Sequence, residues 1–130
     1  MTIVVAYVPR PEGHAALDKG IAMAKESGER LVVVNASPGG PHDDTTMIDG
    51  SELERLEQRL VDEAVPGEVK QFVRGNSAVN EIYALIEKEN ASLLIIGLRK
   101  RSAVGKLLLG SVAQELLLNV SCPVLAVKAG

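Results

Sequence analysis

The chain has 130 residues, with 14 Lys and Arg against 17 Asp and Glu and a formal charge of -3. That is material for one domain, which at this size buries roughly two-thirds of the surface its unfolded chain exposes and needs no disulfide or metal staple. The acidic balance and the scarcity of aromatics (Tyr7, Phe72 and Tyr83) exclude a general attraction to phosphate backbones or anionic membranes and a base-stacking platform for single strands.

Cys122 is the single cysteine, so no intrachain disulfide can form, which suits a reducing compartment. Thr2 to Tyr7 lacks the basic flank and cleavage site of a signal peptide, and no apolar run approaches the roughly 20 residues that span a bilayer. The expectation is a soluble, cytoplasmic chain.

Ile3 to Tyr7 is a short apolar run closed by Pro9 and Pro11, the pattern of a buried strand. Ala15 to Lys25 follows as a helix, with Leu17, Ile21 and Ala24 on one face and Gly28 as its stop. Leu31 to Val34 is a second strand. Ser37 to Gly50, with Pro38, Gly39, Gly40 and Pro41, reads as a long loop. Ser51 and Glu54 have capping-box spacing ahead of a helical stripe of Leu53, Leu56 and Leu60, which Pro66-Gly67 breaks. Val69 to Val73 is a third strand. Ser77 caps a helix with Val79, Ile82 and Ile86 on its apolar face, and Leu93 to Ile96 is a fourth strand ending at Gly97. A basic loop leads to Gly110-Ser111, a helix over Val112 to Leu118, then Cys122-Pro123 and a last strand, Val124 to Val127. Five apolar strands alternating with helices predict an α/β fold: an open five-stranded parallel sheet with helices on both faces.

Ligands of such sheets bind outside the carboxyl ends of the strands, where the winding direction reverses. The segment from Gly97 to Ser111 follows a strand and carries Arg99, Lys100, Arg101 and Lys106, four of the fourteen basic side chains, before opening a helix at Gly110-Ser111. Free N–H groups and the helix dipole favour an anion there. The competing reading is a solvated loop and an ordinary helix start, since Ser111 and Gln114 themselves have capping-box spacing. The segment is not a P-loop, because the GxxxxGK[ST] pattern is absent.

At this segment the sequence resembles the universal stress protein family, whose nucleotide-binding members carry Gly-x2-Gly-x9-Gly-Ser/Thr; Gly97, Gly110 and Ser111 match. The resemblance runs over the whole chain, through Ile3 to Ala6, Val73-Arg74-Gly75, Ser92 to Gly97 and Cys122 to Lys128. It implies a Rossmann-like fold and a stress-response protein that binds ATP or another adenine nucleotide, with magnesium as a companion ion. Gly97, Gly110, Ser111 and Val112 would then hold phosphate, Arg99, Lys100, Arg101 and Lys106 would add charge, and Tyr7, Val8 and Ala36 would flank the base.

Three positions depart from the family pattern. Lys100 stands at its second glycine, Val8 at an aspartate and Arg10 at a serine. Losing charge-assisted hydrogen bonds of that kind costs about 1.5–3 kcal/mol, roughly ten- to a hundredfold in affinity. The departures therefore imply weakened ATP binding. They also keep open an ATP-independent dimeric regulatory module whose basic loop takes another anion or a partner. The family's strand order puts Val124 to Val127 at a sheet edge, and an uncovered apolar edge invites pairing with a second copy.

No catalytic centre is expected. His42-Asp43-Asp44 offers metal-capable side chains, but adjacent residues rarely converge on one ion. His14 reads as an exposed helix-terminal histidine, Cys122 as an inert thiol, and Ser111 lacks the GxSxG nucleophile elbow.

Overall fold

The computed structural model describes residues 1–37, 48–73, 78–100, 107–108 and 111–129. Strand β1 (Thr2–Ala6) is followed by helix α1 (Pro11–Ser27), β2 (Arg30–Ser37), α2 (Gly50–Asp62), β3 (Gly67–Val73) and α3 (Ala78–Glu89). Then come β4 (Ala91–Lys100), the two-residue β5 (Leu107–Leu108), α4 (Ser111–Asn119) and β6 (Val124–Lys128). Five strands form the expected parallel sheet in the order β3-β2-β1-β4-β6.

Successive strand residues point to opposite faces, and two cores result. On one face Ile3, Val5, Leu31, Val33 and Ile95 pack with Leu17 and Ile21 of α1 and Leu56 and Leu60 of α2. On the other, Val4, Val32, Val34, Leu94 and Ile96 pack with Val79, Ile82 and Ile86 of α3 and Leu116 of α4. Because both faces are covered, the strands read as continuous apolar runs rather than alternating ones.

Several boundaries differ from the sequence reading. Helix α1 begins at Pro11, not Ala15: Pro11 occupies the first helical position, where its fixed φ suits the helix and its missing N–H is no loss. Helix α2 is capped by Asp49, whose side chain accepts from the Glu52 N–H at 2.8 Å, so Ser51 lies inside the helix. Ile48, just before the cap, is buried in the same core that Leu53 packs against, a hydrophobic staple that fixes this start. Strand β3 extends back to Gly67. Strand β4 runs beyond Gly97 to Lys100, and Arg99 and Lys100 pair antiparallel with Leu108 and Leu107. The start of the basic segment is thus strand rather than loop. Ser77 and the His42-Asp43-Asp44 run lie outside the described residues.

Candidate functional site

The winding reverses between β1 and β4: β2 and β3 extend the sheet from one side of β1, and β4 and β6 from the other. The carboxyl ends of β1 and β4 therefore form the switch point. The first turn of α1 lies directly over it. A Cβ on Gly13 would stand 1.7 Å from the Val8 carbonyl oxygen, and one on Gly97 would stand 2.2 Å from the Glu12 carbonyl oxygen. Glycine at both positions is what lets the turn descend onto the strand ends. Arg10, the residue before the helix, is extended and supplies no side-chain cap.

The sequence-derived site residues divide into three groups. Gly97 and Arg99 lie in β4, with Arg99 exposed, and Lys100 ends that strand. Ser111 and Val112 open α4, which begins one residue before the Val112 of the sequence reading. Arg101, Lys106 and Gly110 lie outside the described residues.

Tyr7, Val8 and Ala36 are the third group. Tyr7 is only 1 % exposed and belongs to the core on the α1/α2 face, whereas Ala36 packs on the α3/α4 face. Their side chains lie on opposite sides of the sheet. Ala6, at the end of β1, packs on the same face as Ala36. Val8 is half-buried, and its carbonyl accepts from the Arg10 N–H at 2.8 Å.

The Tyr7 hydroxyl donates to Glu52 Oε2 at 2.7 Å. Burial, then that bond and the charge of Glu52, push the phenol well above its usual range. His14 is exposed and stands edge-to-face on the Tyr7 ring, with centroids 5.5 Å apart. Asn35, fully buried at the end of β2, donates from Nδ2 to the Tyr7 carbonyl at 3.0 Å. Its Oδ1 accepts from the Ile48 N–H at 3.2 Å and from Gln71 Nε2 at 3.3 Å. This amide network ties together the ends of β1, β2 and β3, and no motif in the sequence signals it.

One further residue escaped the sequence reading. Glu12, in the first turn of α1, is 8 % exposed and lies at the switch point over Gly97. A glutamate in a helix's first turn is too common to stand out in a sequence. Half-buried Cys122 has its thiol pushed upward by burial. Among the described residues no group of three His, Cys, Asp or Glu is placed to hold a metal, and no helix is long and apolar enough to cross a membrane.

Comparison with known proteins adds to this geometry. The family model described as "Universal stress protein family" matches residues 1–128. A universal stress protein from Mycolicibacterium smegmatis is 45 % identical over 126 residues, covering 97 % of this chain and 96 % of its own. The structure of a universal stress protein from Archaeoglobus fulgidus superposes with a TM-score of 0.77 at 29 % identity, covering 98 % of this chain and 97 % of its own. Another structure from that organism, in complex with dAMP, has a TM-score of 0.71 at 24 % identity over 98 % and 96 % of the two chains. With its sheet order, its paired helical layers and a family match that runs almost end to end, the chain belongs to the universal stress protein family.

Proposed function

We propose that this chain is a stress-response binding protein that takes an adenine nucleotide, alone or with magnesium, at the carboxyl ends of β1 and β4, and performs no chemistry on it. The observation that carries this reading is the switch point. There β1 and β4 part, β4 runs on to Lys100, and α4 presents its N-terminus at Ser111. An open parallel sheet takes its ligand at such a point, and a helix N-terminus favours the anionic end of that ligand. The fold relative in complex with dAMP supports an adenine nucleotide as the occupant.

A binding role fits the titratable groups of α1 and β1. The Tyr7 phenol is held protonated by burial and by Glu52, and it is the hydrogen-bond partner of His14 among the described residues, at 3.4 Å. The lone Cys122 accords with a cytoplasmic setting. The working unit in this proposal is a homodimer paired through β6, whose one partner strand among the described residues is β4.

A second reading, an ATP-independent dimeric module, is favoured by one observation: Val8, at the end of β1, offers a ligand no charge or hydrogen-bonding side chain. Calorimetric titration of nucleotide-stripped protein with ATP, AMP and inorganic phosphate, with and without magnesium, separates the two. Saturation by ATP or AMP at micromolar concentration, lost in Gly110→Val, supports the nucleotide reading. No nucleotide heat up to millimolar concentration, with no thermal shift, overturns it in favour of the ATP-independent module.

A further inference from the structure

The Glu12 carboxylate is poorly satisfied for its depth. Its side chain is 11 % exposed, and its one ion pair among the described residues is Arg10 Nη1 at 3.8 Å, beyond hydrogen-bonding distance. No hydrogen bond from the described residues reaches it. A buried carboxylate normally collects several donors, because it has left water with four lone-pair sites to fill. Such a group in a native structure calls for an explanation, and a functional role is one of the recognised ones.

Its position says what kind of ligand. The helix turn that carries Glu12 is pressed onto the strand ends by Gly13 against Val8 and by Gly97 against Glu12 itself, so the backbone and Cβ of Glu12 are held at the switch point and its carboxylate is largely shielded from solvent. An acidic group there repels phosphate and accepts from neutral donors. In an adenine nucleotide those donors are the sugar hydroxyls and the amino group of the base, and an acidic residue beside the switch point of an open α/β sheet is suited to accept from the hydroxyls.

We propose that Glu12 is the sugar-recognising residue of the site, accepting hydrogen bonds from the ribose hydroxyls and setting a preference for ribonucleotides over nucleotides that lack those hydroxyls. The inference rests on the nucleotide reading above and adds to it an acceptor that Val8 does not supply. The competing role for Glu12 is structural: a first-turn glutamate favours the N-terminus of its helix whether or not a ligand is present.

The test is calorimetric titration of the whole chain with AMP and with 2′,3′-dideoxy-AMP, for the unsubstituted protein and for Glu12→Ala and Glu12→Gln, with thermal melts to establish folding. The unsubstituted protein should bind AMP about ten- to a hundredfold more tightly than the dideoxy analogue, the loss typical of hydrogen bonds to a charged group. Glu12→Ala should lose that discrimination and bind both probes at the weaker level. Glu12→Gln should retain part of it, since its amide oxygen still accepts. A structural role alone would lower the melting temperature without changing the ratio of the two affinities. Equal affinity of the unsubstituted protein for both probes overturns the inference and leaves the nucleotide site standing. No binding of AMP or of ATP by the unsubstituted protein overturns both.

Discussion

The Tyr7 hydroxyl, just past β1, makes a side-chain hydrogen bond to α2, and its acceptor is a carboxylate. Charged acceptors make hydrogen bonds worth about 1.5–3 kcal/mol net, so Tyr7→Phe should lower stability by roughly that much at neutral pH. The pH dependence follows from the raised phenol. A tyrosine in the unfolded chain ionises near 10, whereas burial and Glu52 keep Tyr7 protonated to higher pH in the native state. Its contribution is therefore complete below about pH 10 and is lost as pH rises above that. Urea midpoints measured from pH 7 to 11 should show the difference between native and Tyr7→Phe proteins narrowing only in the alkaline half. The sequence makes Tyr7 visible as the polar end of an apolar run, but its sheet face emerges only when Val5 and Tyr7 are seen to share the α1/α2 side.

Among the elements, α2 and the contact of β4 with α1 carry sharp expectations. The capping-box spacing of Ser51 with Glu54 points to the serine as the cap of α2. The burial of Ile48 against the core decides for Asp49 and leaves Glu52 to accept from Tyr7. In urea denaturation Asp49→Ala should cost about 0.5–2 kcal/mol, while Ser51→Ala should stay within about 0.5 kcal/mol of the parent. At the other contact, Gly97→Ala would drive a Cβ to 2.2 Å from the Glu12 carbonyl, backbone against backbone, where no rotamer change relieves it. The expected cost is about 1–3 kcal/mol, read as a lower thermal midpoint. Gly97 thus has a packing reason to be glycine beside the phosphate role its motif suggests, and motif spacing cannot separate the two.

For the whole molecule the open question is the β6 edge. Val124, Leu125 and Val127 are half-buried, Ala126 is exposed, and Leu118 of the preceding helix is 72 % exposed. A parallel sheet ending on an apolar strand presents a row of unpaired backbone groups to a second copy. For the proposed dimer, sedimentation equilibrium of the full chain should return twice the chain mass. Ala126→Glu should shift that equilibrium toward monomer by bringing like charges across the two-fold strand pair. A monomer at all concentrations for the unsubstituted chain would remove the dimer from the proposal.

What the sequence determined by itself was the element order, the apolar strands, the stripes of α2 and α3 and the family, because periodicity and motif spacing are local properties that survive without coordinates. What only the tertiary structure decided was which element ends meet. The choice of Asp49 over Ser51, the opposite faces of Tyr7 and Ala36, and the placing of Glu12 over Gly97 all depend on residues distant in sequence. Helix starts are degenerate when several capping residues crowd together, and a buried carboxylate is written with the same letter as an exposed one. Packing between α1 and the ends of β1 and β4 removes that degeneracy, because the helix turn comes down onto Val8 and Gly97 so closely that a Cβ on Gly13 or Gly97 would clash with backbone.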